Sequence, residues 1–164
     1  MRETYWNLYV KLVYKSCYYK YFQSLFGKIN WILTIFCSVV SLSSIAAWGI
    51  WKTHPAIWSV LICVSQLIQA MFPKLPYNDL LSSTKFMISS LDKLLIQLKT
   101  DWLKIQYLDS TEEEILKLIK KHETSYSELV SQFFAGTYLP TIKYCEKKAD
   151  RECNIYFHNN FPSE

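Results

Sequence analysis

Two stretches of this chain carry no charged residue: 29–51, which runs for 23 positions, and 56–72, which runs for 17. At about 1.5 Å per residue they give helices of roughly 34 Å and 26 Å, against a hydrocarbon layer about 30 Å thick. Neither stretch shows the charged face that a helix on a soluble bundle presents to water. The pattern predicts two transmembrane helices. Lys52-Thr53-His54-Pro55 lies between them, short enough to make the pair an antiparallel hairpin, and Pro55 suits the first turn of the second helix. A buried hairpin in a soluble bundle is the competing reading. A signal peptide cleaved after Ser44-Ile45-Ala46-Ala47 is a third; it is disfavoured by the 28 residues ahead of the apolar run and by the run's continuation through Ile50. Trp48, Trp51 and Trp58 bracket the turn and read as interfacial anchors.

The remaining pattern is helical. Residues 2–27 read as an aromatic-rich amphipathic helix, with nine of the first 28 residues Tyr, Trp or Phe. Aromatic rings mixed with lysines suit a membrane interface, and they equally suit packing on a cytoplasmic bundle. Pro73 and Pro76 end the second span. A helix over 78–107 follows, with Ile88, Leu91, Leu95, Leu98, Trp102 and Ile105 spaced by threes and fours. Ser110 and Glu113 form a capping-box pattern for a helix over 111–135, whose face carries Ile115, Leu118, His122, Tyr126, Leu129 and Phe133, with Gly136 as its stop. Pro140 opens a last helix over 140–158, with Ile142, Cys145, Ala149, Cys153 and Tyr156 on one face. The expected fold is an all-α membrane protein: an N-terminal cytoplasmic or interfacial amphipathic helix (1–28), a two-helix transmembrane hairpin (29–72) and a C-terminal cytoplasmic helical bundle (73–164).

Polar residues inside the spans change the picture from anchor to assembly. Thr34, Cys37, Ser38, Ser41 and Ser44 fall on one stripe of the first span; Ser59, Cys63, Gln66 and Gln69 follow the helical period of the second. In hydrocarbon such groups need a partner or water. Small residues permit close packing and Gln66 and Gln69 can bond between helices; alternatively several protomers line a wet pore with the stripe. Both readings favour a homo-oligomer.

Charge sets the topology. Residues 1–28 carry five basic side chains against one acidic, whereas 73–164 carry 12 basic and 13 acidic. The overall +4 is therefore not a nucleic-acid surface. It sits beside a span, where it holds both ends on the cytoplasmic side of the inner (plasma) membrane. The five cysteines make no disulfide framework. Chemistry is sparse. There is no phosphate-binding loop, His122-Glu123 lacks the second His of a zincin, and Cys145, Cys153 and His158 lack a fourth metal partner. His122 on an apolar face reads as a core histidine. No catalytic, cofactor or metal residue is expected, and the chain is not expected to be an enzyme.

The order of leader helix, two spans and helical tail resembles the SLATT-domain proteins of bacteria. The likeness rests on Ala46-Ala47-Trp48, on Pro55-Ala56-Ile57-Trp58, and on the run from Gln69 to Tyr77. In the tail it rests on Ala149-Asp150-Arg151-Glu152 with Tyr156-Phe157. The resemblance implies a membrane effector of antiviral defence that forms pores and depolarises the infected cell. It implies no catalytic residues. The trigger would be a viral component, a separate sensor or a small ligand acting on the cytoplasmic helices. A membrane-anchored scaffold or sensor without a pore, and a phage holin, are the alternatives.

Overall fold

The structure is a computed structural model. It describes residues 1–46, 55–71, 77–108, 110–135 and 139–161, without the side chains of 41–46, 55, 58 and 77–79. The chain is all-helical, with five helices in the order α1 (Arg2–Ala46), α2 (Pro55–Met71), α3 (Tyr77–Tyr107), α4 (Glu112–Phe134) and α5 (Lys143–Asn160), and no strand among the described residues. Two compact units emerge: Met1–Gln23 with Ser82–Glu164, and Ser24–Leu81.

The expected leader helix and first span are one continuous helix of 45 residues. The sequence holds nothing able to break it. There is no proline within it, and Gly27 is its one described glycine, with open space around its α-carbon. A lone helical glycine costs about 1 kcal/mol against alanine, too little to end a helix that is long on both sides.

In the first unit the first half of α1 packs with α3, α4 and α5. Tyr5, Tyr9, Leu12 and Phe22 of α1 are buried to the last percent. On α3 the row Thr84, Met87, Leu91, Leu94, Leu98 and Ile105 is buried as well. The threes-and-fours rhythm on α3 is as expected, but Leu94 takes the place given to Leu95, and Ile88 and Trp102 are only half-buried. The α5 face of Cys145, Ala149 and Cys153 is buried. These small side chains let α5 approach closely. Burial, with the charges of Cys17 and Asp150 behind it, pushes the Cys153 thiol up to about 11, so it stays protonated.

Four tyrosines of α1 carry hydroxyls into this core, and each of the four ends on a partner. Tyr5 donates to the Leu98 carbonyl at 3.1 Å. Tyr9 pairs with Tyr156 at 2.7 Å, and Tyr19 with Tyr126 at 3.2 Å. Tyr18 donates to the Pro140 carbonyl at 2.6 Å and accepts from the Ile142 N–H at 3.1 Å. That last arrangement bears on where α5 starts. Pro140 does not open it. The helix begins at Lys143, and Ile142, the residue before it, has no side chain able to cap. Tyr18 holds the lead-in instead.

The α4 start lies one residue later than expected. The capping box is Thr111 with Glu114 rather than Ser110 with Glu113. The Glu114 N–H donates to Thr111 Oγ1 at 3.4 Å and the Thr111 N–H to Glu114 Oε2 at 2.9 Å. Those bonds from Thr111 hold the Glu114 carboxyl below the usual range. Glu113 is free to pair with Lys117 at 2.9 Å.

His122 is wholly buried on α4. Its Nε2 lies 3.1 Å from Asp101 Oδ2, and Tyr5 meets its ring edge-on at 6.0 Å. Its Nδ1 has no hydrogen-bond partner among the described residues. Burial lowers its pKa from 6.5, against the opposing pull of Asp101, so the ring is neutral at pH 7.

Candidate functional site

The second unit contains the residues of the polar stripe. α1 is long and apolar enough to cross a membrane by length and composition, and only 11% of its most apolar window is buried. Within this unit Cys37, Val40 and Ser65 are buried. Cys37 Sγ lies 3.9 Å from the Ser65 carbonyl, to which it donates, and Ser65 Oγ donates to its own helix at Ile62 O, 3.0 Å away. The contact falls nine residues before the end of α1 and ten after the start of α2, as in an antiparallel pair. Small side chains at this seam permit close approach of the two backbones.

Around this seam each helix shows the same sequence of faces. At about 100° per residue, Thr34 and Ser38 lie to one side of Cys37, and both are exposed. Trp31, Ile35 and Val39 lie beyond them and are 67%, 41% and 55% exposed. On α2 the exposed row Ser59, Cys63 and Gln66 lies in the same rotational sense from Ser65. Val60, Val64, Leu67 and Met71 follow and are 42–62% exposed. Antiparallel helices that share a rotational order place matching rows on the same side. The helix pair therefore carries Thr34, Ser38, Ser59, Cys63 and Gln66 on one side of the seam, where Trp31 and Ile35 of α1 stand level in rotation with Ser59 and Cys63 of α2.

The hydroxyls on the α1 side are locally satisfied. Thr34 donates to the Asn30 carbonyl at 2.9 Å and Ser38 to the Thr34 carbonyl at 2.8 Å. Gln69, also exposed, lies between the polar row and the seam. Ser41 and Trp58 lie in α1 and α2, but their side chains fall outside the described residues, as do Trp48 and Trp51 altogether. Residues 52–55, expected as the turn, lie outside them too, apart from the backbone of Pro55. Ser65 is the residue the sequence reading passed over. No signal in the sequence singles it out: it is as polar as Ser59, and only its burial distinguishes it.

Among the described residues no three His, Cys, Asp or Glu side chains gather as metal ligands. Cys145 and Cys153 are buried while His158 is exposed. No family model, no curated protein and no solved structure matches this chain.

Proposed function

We propose that this chain is a pore-forming membrane effector of bacterial antiviral defence. Its hairpins assemble in the inner membrane with their polar faces inward, and both chain ends remain in the cytoplasm. The observation that supports the reading is the exposed polar row of α2 beside an exposed apolar one. Val60, Val64, Leu67 and Met71 are exposed where lipid would meet them, and Ser59, Cys63 and Gln66 are exposed on a different face. An unpaired amide such as that of Gln66 costs several kcal/mol in hydrocarbon. Rotating the polar face toward copies of itself replaces lipid with water or a neighbouring side chain, which drives closed association.

The positive leader supports the orientation. The likeness to SLATT-domain proteins supplies the defence setting, with the helical bundle receiving the trigger: a viral component, a sensor protein or a small ligand.

Membrane potential tests this. Cells expressing the chain and challenged with phage are expected to lose the potential reported by a voltage-sensitive dye, and Gln66→Leu is expected to blunt the loss. Unchanged potential across a range of expression levels and challenges overturns the reading. A membrane-anchored scaffold without a pore would show Gln66→Leu behaving as wild type.

A further inference from the structure

The bundle carries a half-open cavity of about 460 Å³. That volume lies in the range of small-molecule sites, about 300–1,000 Å³. Two helices build most of its wall by simple periodicity. α1 supplies Tyr14 and Tyr18 on one row and Lys15 and Tyr19 on the next. α4 supplies Tyr126, Val130 and Phe134 at successive turns, with Ser127 and Ser131 beside them. Tyr19 and Phe134 stand with ring centroids 5.7 Å apart and planes tilted by 49°. The Tyr19–Tyr126 hydroxyl pair fixes one wall and the Tyr18–Pro140 bond another. The walls are aromatic and held in place, as a preformed site requires.

The rim is polar and carries both signs of charge. Lys15 of α1 and Glu146 of α5 both line the cavity. Neither is in an ion pair among the described residues. Burial, then the carboxylates of Asp150 and Glu146, push the Tyr14 phenol up, so its hydroxyl remains a donor. A neutral aromatic ligand would leave both rim charges unused. A ligand with one charge would satisfy one of them and set a like charge beside the other.

We propose that this cavity binds a small aromatic zwitterion, a ring bearing one ammonium and one carboxylate. The ring lies against Tyr19 and Phe134, the carboxylate faces Lys15 and the Ser127 hydroxyl, and the ammonium faces Glu146. The site belongs to the bundle, and its occupancy stands or falls independently of any pore.

Equilibrium dialysis of the full-length protein in detergent micelles tests this, with radiolabelled L-tryptophan as probe. Saturable binding is expected. Tryptamine, which lacks the carboxylate, and indole-3-propionate, which lacks the ammonium, should each compete about tenfold more weakly. L-Leucine, which lacks the ring, should not compete. Lys15→Met should erase the preference over tryptamine, and Glu146→Gln the preference over indole-3-propionate. Ser131→Trp, a substitution at an exposed rim position, should block the cavity while leaving the thermal melt unchanged. Three results overturn the proposal: no saturable tryptophan binding below millimolar concentration, equal competition by all three indoles, or unaltered binding in a folded Ser131→Trp protein.

Discussion

His122 is the side chain whose environment is most exacting. It is wholly buried, bonded at one nitrogen to Asp101 and unpartnered at the other. Protonation would place a second N–H at Nδ1 with nothing to receive it. The folded-state pKa is depressed below 6.5, chiefly by burial, so below pH 6.5 the unfolded chain binds more protons at this residue than the folded one. Stability contributed by neutral His122 is therefore complete above pH 6.5 and falls as pH drops below it. Urea midpoints of the full-length protein in micelles should decline from pH 7 to pH 5. His122→Gln, which retains an N–H for Asp101, should flatten that part of the profile. A profile of unchanged slope in the variant would refute the assignment. Tyr9 offers a second measurement at this scale. Removing its hydroxyl in Tyr9→Phe strands the Tyr156 hydroxyl on the far side of a 2.7 Å bond, and should cost about 1 kcal/mol in the same titration. The sequence marked these residues as aromatic or apolar-face positions. It did not tell which hydroxyl meets which partner, because those partners lie between 93 and 147 residues away.

Among the helices, types and extents were largely legible and ends were not. Helix ends are decided by single hydrogen bonds, and adjacent residues often offer the same ones. Ser110-Thr111 with Glu113-Glu114 reads as a capping box in either register. The structure uses the later one. Thr111→Ala should therefore destabilise the bundle by about 1 kcal/mol, while Ser110→Ala should stay within about 0.5 kcal/mol; chemical denaturation of both variants decides the register, and a reversed order would reject it. The start of α5 was missed for a different reason. Proline is a good first helical residue, but Pro140 is bound through its carbonyl by Tyr18, a partner 122 residues away in sequence. On α3 the exchange of Leu95 for Leu94 has a similar origin. Both positions fit an apolar period of threes and fours, and the choice is made by what packs opposite. Period alone groups the polar residues of 29–51 and 56–72 into rows but does not find the Cys37–Ser65 contact: Ser65 is as polar by composition as Ser59, and only its burial separates the two.

For the molecule as a whole, the bundle is not a property of the tail. Tyr5, Tyr9, Leu12 and Phe22 lie ahead of the hairpin in sequence and inside the bundle in space. At about 1.5–3 kcal/mol for each large apolar side chain buried, these four contribute roughly 6–12 kcal/mol, which compares with the whole stability of an ordinary domain, about 5–15 kcal/mol. A fragment of residues 73–164 should show no cooperative thermal transition by circular dichroism. Residues 1–23 joined by a flexible linker to 82–164 should show one. A cooperative melt of the shorter fragment would mean that α1 is dispensable to the bundle.

The same interleaving governs how the protein is made. Residues 24–81 are synthesised between the two parts of the bundle, which at about 5–20 residues per second takes roughly 3–12 s. Throughout that interval the partners of the first tyrosines do not yet exist; Tyr9 waits for Tyr156, 147 residues behind it. The apolar segments 29–51 and 56–72 emerge during this wait. The order of events is thus written into the chain: residues 24–81 are complete first, and the bundle closes only once α5 has been made.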